Sequence, residues 1–503
     1  MSQPNRRTTA QVAHSHLWGE RPKKYDWLNA HEVADTHWTD LEPETPSYWF
    51  VPRDTSLEEE YRCGWKVTDT MPINGVGITT ARDHVVIDLD EGPIVQRAQL
   101  FRDSTDSDAQ LCQQFRMPMK KGWNISRART LIQEEKELSK HIRPITYRPF
   151  DNRLIFFHDS LVWRTVKRIT GHMLAGRNAG MCFHRRMEIQ GEYAHFFCSQ
   201  YPVEHCAVSI KTTDYLAPLY LYPDPNKPDR EVDRSSAIAD YRDLIGRVAA
   251  ANDWDTRRVV ARIEAIFRDL FPAESYPRWP NFDPFFLDDI RKRTGFAFLP
   301  DGRGDLRKTF GPEDVFAYIY GVFHSPRYRT RYAEFLKIDF PRVPLTSSAD
   351  LFRALCGKGQ ELVDLHLMRD ERLSNASFWG TSYPVAGKHD VTAIDYSPPG
   401  ESRKSNAPQS PIERGRVYIN KSQPKKGLEA QYFDGVPPEV WEFRIGGYQV
   451  LHHWLKERKR HKRSLTLDDI EHFQKVVAVL RETIRLTQEI DATIDAHGGW
   501  PIA

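Results

Sequence analysis

The sequence predicts a mixed α+β fold, a β-rich core with inserted helices followed by a helical C-terminal part. Three observations carry this. Between Ile145 and Leu221 the stretches ITYRPF, RLIFFH, GMCFHRR, YAHFFCS and AVSIK carry β-branched or aromatic strand formers and read as strands. From Thr256 to Phe271, Val259, Ile263, Ile266, Phe267 and Leu270 fall on one side of a helix, the pattern of a core stripe. After Thr466 a second stripe, Ile470, Phe473, Val477, Leu480, Ile484 and Ile494, follows a Thr466–Asp469 pair at capping-box spacing.

The elements follow in order. MSQPNRRTTA reads as a flexible tail, and Gln11–Gly19 alternates like a strand whose sheet neighbours are missing, which would leave an unpaired edge. Val85–Leu89 reads as a strand and Ile125–His141 as a charged helix. Within the β-rich part, Val162–Ala175 is the expected helix, with Arg164, Lys167 and Arg168 at i, i+3, i+4 on one face. Tyr222–Ser235 is a polar connector, Ala237–Ala251 a helix, and Pro272–Pro284 a loop. Glu313–Phe323 and Tyr328–Leu336 are helices joined at His324–Arg327, and IDFPRVPL then reverses the chain. Ala349–Met368 is helical, His389–Tyr396 and Arg416–Asn420 are strands, and a mobile loop is expected at 397–412. The length favours several domains, divided here as 1–140, 141–345 and 346–503, with a closing helix at 466–494.

Charge is nearly balanced, 71 basic against 69 acidic residues, so a nucleic-acid partner requires that the charge be segregated. It is. Arg143–Arg186 carries nine basic residues against Asp151 and Asp159, with Tyr147, Phe150, Phe156, Phe157, Trp163 and Phe183 threaded between them. Arg403–Lys426 holds seven bases and one acid, and Lys456–Arg463 six and one. Arginine forms bidentate bonds with guanine edges and phosphates, and aromatics give it a rigid seat. A solvated basic face is the plain alternative. The six cysteines lack framework spacing, pointing to reduced thiols and a cytoplasmic protein, and no apolar run reaches the roughly 18 residues of a membrane span. Cys182, His184, Cys198, His205 and Cys206 cluster, but without the paired spacing zinc favours, so no metal is expected.

ITYRPFDNRLIFF, followed by TGHML, Asn178-Ala179-Gly180 and the pair Arg185-Arg186, resembles the C-terminal target-recognition region of Type ISP restriction–modification enzymes. Three further blocks resemble it in order: Trp65–His84, Tyr318–Leu345 and Val440–Arg458. The likeness runs from about residue 12 to the C-terminus. In that family a nuclease, a helicase-like ATPase, a coupler and an adenine-N6 methyltransferase precede this region. The resemblance therefore implies recognition of double-stranded DNA in a phage-defence system, with S-adenosylmethionine and Mg-ATP as cofactors of the parent enzymes.

The catalytic signature of the methyltransferase, a short acidic or amide residue followed by Pro-Pro and an aromatic, is not matched. Ser397-Pro398-Pro399 is followed by Gly400, and Pro437-Pro438 is preceded by Val436. Gly171-HMLA-Gly176 has phosphate-loop spacing but continues Arg177-Asn178. The expectation is a specificity module that starts after the methyltransferase core, with no catalytic residue and no cofactor of its own. Candidate DNA contacts are Arg148, Arg153, Arg164, Lys167, Arg168, Arg185 and Arg186, then Arg327 and Arg329, with Lys421 (and Lys425, Lys426) through charge alone. The alternative is a subunit or fragment of an adenine-specific DNA methyltransferase working with a separately encoded S-adenosylmethionine-binding or helicase–nuclease partner. Two weaker readings are a nuclease using Glu457-Arg458-Lys459 and a protein-binding scaffold.

Overall fold

The computed structural model describes residues 10–45, 48–117, 122–187, 192–223, 256–273, 276–400, 413–422 and 429–502. The expected tail, most of the 222–235 connector, the 237–251 helix, residues 401–412 of the expected mobile loop, and Lys425 and Lys426 lie outside the described residues. The fold is α+β, as the sequence predicts. Contacts divide the chain into residues 1–59 and 60–503.

In the first unit Val12–His14 pairs antiparallel with Thr39–Leu41, with the helix Arg21–Ala30 between them in sequence. The strand expected to be orphaned thus has one partner. The helix buries no residue, and Trp18, Tyr25, Leu28 and Val33 are exposed.

The second unit holds its strands in small sheets. One places Asp151–Phe156 between Ile142–Arg148 and Ile87–Asp88. Another runs Gly75–Val76, Tyr215–Pro218, Gly180–Phe183, Phe197–Ser199, all antiparallel. A third pairs Asp395–Ser397, Arg416–Tyr418 and Tyr432–Asp434. Three helices, Pro312–His324, Ala349–His366 and Leu467–Ala496, form the apolar centre of the C-terminal half. The first two touch at glycines: a Cβ on Gly359 would overlap the Ala317 carbonyl oxygen. The closing helix opens with the expected box, in which Thr466 Oγ1 accepts from Asp469 N (3.1 Å) and Asp469 Oδ2 from Thr466 N (3.0 Å). Ile470, Phe473, Val477, Leu480 and Ile494 are buried; Ile484 is half-buried.

Several local expectations are corrected. The 207–211 stretch is a bend, and Tyr215–Pro218 takes the strand position. The Asp214 carboxylate accepts from Val208 N (2.6 Å) and Val208 O accepts from Gly447 N (3.0 Å), which curls that segment away from the sheet. Of Val85–Leu89 only Ile87–Asp88 is strand, because Asp83–Val86 forms a helical turn. The 125–141 helix stops at Gln133 and resumes as a 3-10 turn at Leu138–His141. The 328–336 helix divides into Pro326–Arg331 and Ala333–Leu336. In the 389–396 segment strand begins only at Asp395.

Candidate nucleic-acid interface

The basic stretch opens on the 142–156 hairpin, whose two-residue turn is Pro149-Phe150. Phe150 adopts a left-handed backbone (φ +59°), and its carbonyl accepts from His472 Nε2 of the closing helix at 2.7 Å. The tip is therefore docked against helix rather than presented to solvent. Behind it Asp151, 1 % exposed, accepts from Arg153 Nη2 and from Arg458 Nη1, both at 2.7 Å. Arg153 Nη2 also donates to Glu457 Oε2 at 2.9 Å. The Arg153 and Arg148 guanidiniums lie over the Tyr147 ring, 3.9 and 4.0 Å from its centroid, and Arg458 lies 3.7 Å from the centroid of Trp454. Arg148 donates to Glu204 Oε2 at 2.8 Å. Burial works to raise the Asp151 carboxyl, yet the two guanidiniums prevail and hold it down at about 2. Arg148 and Arg153 are thus committed to acids distant in sequence. Glu457, the carboxylate of the Glu-x-Lys motif, is held in the same clasp.

Other bases of the stretch face outward. Arg164 is exposed in a loop whose backbone bridges Thr79 (Arg164 N to Thr79 O, 2.9 Å). The expected helix begins only at Lys167, since Val166 sits at φ +49° and breaks the helical path. Arg164, Lys167 and Arg168 therefore do not share a helix face. Lys167 and Arg168 are exposed on the first turn; Lys167 pairs with Asp159, and Arg168 donates to the Asn74 carbonyl at 3.3 Å. Arg185 and Arg186 are exposed just past the strand Gly180–Phe183. Arg327 is exposed and paired with Asp495. Arg329 is half-buried, its Nε donating to the Phe323 carbonyl at 2.9 Å, and burial pushes its guanidinium down to about 10. Lys421 is exposed.

Of the expected cysteine–histidine cluster, Cys182 and Cys198 are fully buried, with their thiols pushed up by burial. His184 Nε2 meets Asp214 Oδ1 at 2.7 Å with both side chains wholly enclosed. Two groups could hold a metal among the described residues: Glu204 with His205 and Cys206 of that cluster, and, elsewhere, Glu135 with His141 and His158. In the second, Glu135 Oε2 already meets Lys140 Nζ (2.7 Å) and His141 Nε2 (2.9 Å), which makes it an ion-pair network as it stands.

One concavity carries basic residues that no single sequence window brings together. Arg177, Arg278, Arg303 and Arg369 line a recess of about 300 Å³ built from loops and the Pro312–His324 and Ala349–His366 helices. These arginines lie far apart in the chain, and none was a sequence candidate. Among the described residues no helix is long and apolar enough to cross a membrane.

A family model described as the Type ISP C-terminal specificity domain matches residues 69–489. No curated protein matches the chain. Among solved structures, the chain resembles a nuclease-deletion mutant of the Type ISP restriction-modification enzyme LlaGI in complex with a DNA substrate mimic (16 % identity, TM-score 0.55, covering 93 % of this chain and 32 % of that one). It also resembles the chain of a DrdV–DNA complex (15 %, TM-score 0.58, 94 % and 42 %). A third likeness is to the ATP-dependent Type ISP restriction-modification enzyme LlaBIII bound to DNA (14 %, TM-score 0.52, 93 % and 26 %). The chain thus spans between about a quarter and two fifths of the length of these chains.

Proposed function

The chain belongs to the Type ISP C-terminal specificity domain family, and from that premise we propose that it recognises a specific sequence in double-stranded DNA as the specificity module of a restriction–modification system. The observation that carries this is the family match across residues 69–489. The fold it shares with proteins seen in complex with DNA or a DNA substrate mimic supports it.

Exposed Arg164, Arg168, Arg185 and Arg186 are assigned to base edges. Exposed Lys167, Arg327 and Lys421 are assigned to phosphates, where charge suffices and no sequence information is read. Arg148, Arg153 and Arg329 are assigned to the scaffold, because they are partly or wholly buried against protein partners and a base-reading guanidinium must reach out to a groove. Of the segments 1–140, 141–345 and 346–503, the middle one is assigned the larger share of the reading. S-adenosylmethionine and Mg-ATP chemistry is assigned to other parts of the system, and the cytoplasm follows from DNA as partner.

The test is a fluorescence-anisotropy titration of the chain with random-sequence duplex at two salt concentrations, followed by selection from a randomised pool. Salt-sensitive binding with one enriched asymmetric motif is the expected result. Binding without enrichment overturns sequence specificity, and no binding at low salt overturns DNA recognition by this chain.

A second reading, that the chain works against a catalytic partner, is favoured by the first unit. Trp18 is 75 % exposed, Val33 76 % and Leu28 56 %, an unusual amount of bare apolar surface for so small a unit. Co-expression with a Type ISP methyltransferase part, followed by size-exclusion chromatography, tests it: Trp18→Asp and Leu28→Asp should abolish co-elution, and absence of any complex rejects it.

A further inference from the structure

Two of the four arginines in the recess have no carboxylate within ion-pair distance among the described residues. Arg177 is exposed at its mouth. Arg369, just beyond the Ala349–His366 helix, donates only to neutral oxygens: Gln200 Oε1 (2.9 Å) and, weakly, the Asn178 carbonyl (3.5 Å). Arg303 faces the wall's two acids, 3.5 Å from Glu313 and 3.8 Å from Asp364. Arg278 is engaged by Asp301 at 2.6 Å, with its guanidinium 3.6 Å from the centroid of the Tyr220 ring.

Asn178, in the lining, is fixed by four side-chain hydrogen bonds: it accepts from Ala179 N and Tyr220 N (3.0 Å each) and donates to the carbonyls of His172 (3.0 Å) and Tyr220 (2.8 Å). Burial, and next the neighbouring Arg177, push the Arg369 guanidinium below its ordinary value. Two like charges are therefore held beside one cavity, where the recess's two acids, Glu313 and Asp364, lie within ion-pair distance of Arg303 and of neither Arg177 nor Arg369. Guanidiniums gathered at a concavity and not spent on carboxylates are suited to an anionic ligand.

We propose that this recess is a phosphate-binding site in which Arg177 and Arg369 are the principal ligands. Resting on the DNA reading above, the phosphate belongs to a DNA backbone. Guanidiniums at such a site donate in pairs to phosphate oxygens, and a pocket of about 300 Å³ has room for a phosphate with its sugar. A free phosphate or nucleotide shares the same chemistry, and the experiment separates the two sources.

The test compares the chain with Arg177→Gln and with the double variant Arg177→Gln/Arg369→Gln. The first arm is anisotropy with random duplex across a salt series. Loss of one backbone contact should weaken binding several-fold on all sequences alike and lower the log–log salt slope by about 0.9. The second arm is thermal denaturation with inorganic phosphate or adenosine monophosphate at millimolar concentration. A DNA-borne phosphate predicts the change in the first arm. Stabilisation of the parent but not of the variants, with DNA affinity unchanged, assigns the site to a free phosphate and overturns the DNA source. If neither arm distinguishes the variants, the site is overturned. If the parent binds no duplex, the DNA reading fails while the second arm still decides the site. Arg177 is exposed, so Arg177→Gln tests the proposal even where the double variant fails to fold.

Discussion

Arg153 and Arg185 lie in the same basic stretch, yet the fold uses them oppositely. Arg153 is 5 % exposed and grips Asp151 and Glu457, tying the hairpin to the 450–460 helix. Arg185 stands in solvent one residue past His184, which is buried. The difference is where the chain places acids. Asp151 is two residues from Arg153, but Glu457 is more than three hundred away, and no charge count around Arg153 includes it. A basic run is therefore not one surface. Arg148 and Arg153 on its strands, beside Tyr147 and Phe150, became a buried staple, while Arg164 and Arg185 in its loops stayed exposed.

The comparison breaks most directly at Asp151. Asp151→Asn should destabilise the chain by about 3–5 kcal/mol in urea unfolding, because two buried guanidiniums lose the charge between them. A loss under about 1 kcal/mol would mean the clasp is incidental.

The same C-terminal packing holds His366 neutral. Tyr320 O–H donates to its Nδ1 (2.5 Å), its Nε2–H donates to Thr483 Oγ1 (2.9 Å), and that hydroxyl donates to the Val479 carbonyl (2.8 Å). Burial, then the Arg329 charge, push His366 from 6.5 down to about 3. The unfolded chain thus binds the proton first, so the contribution of His366 is complete above pH 6.5 and is lost as pH falls from 6.5 towards 3. Asp151 adds to the fall only below its ordinary value of 3.8, and it is lost through about 2. Melting temperature measured from pH 7 to 4 should decline, and His366→Gln should flatten the slope.

On the exposed side, Arg185→Ala should cost about 1–3 kcal/mol of binding to the selected duplex and relax preference at one position, with no change in unfolding. The reverse pattern would move Arg185 into the scaffold set. Gly359→Ala should destabilise by about 1–3 kcal/mol without affecting DNA affinity per folded molecule, since a methyl there meets the Ala317 carbonyl. Smallest of all, Lys421→Ala should weaken every sequence equally by under about 1 kcal/mol, read as a shallower salt dependence.

The α+β class, the strand stretches ITYRPF and RLIFFH, the capping box and the stripe of the closing helix could be read from local sequence, each from composition, periodicity or spacing within a few turns of chain. The family likeness rested instead on the resemblance of four separated blocks. The 207–211 segment misled because strand propensity says nothing about a distant partner: Gly447 and Asp214 took its backbone groups. The Val162–Ala175 helix misled at its start because Val166 turns left-handed where Arg164 bridges Thr79. The recess was invisible because Arg177, Arg278, Arg303 and Arg369 are separated by tens of residues of helix and strand.

By itself, the sequence determined that this chain is a mixed α+β protein carrying the Type ISP specificity pattern, with its positive charge concentrated in a few stretches. Tertiary structure alone decided which of those charges remain available. A guanidinium becomes scaffold where folding buries it against protein acceptors, as at Arg153 and Arg329, and stays available where folding leaves it exposed, and that depends on contacts between distant parts of the chain rather than on its neighbours in sequence.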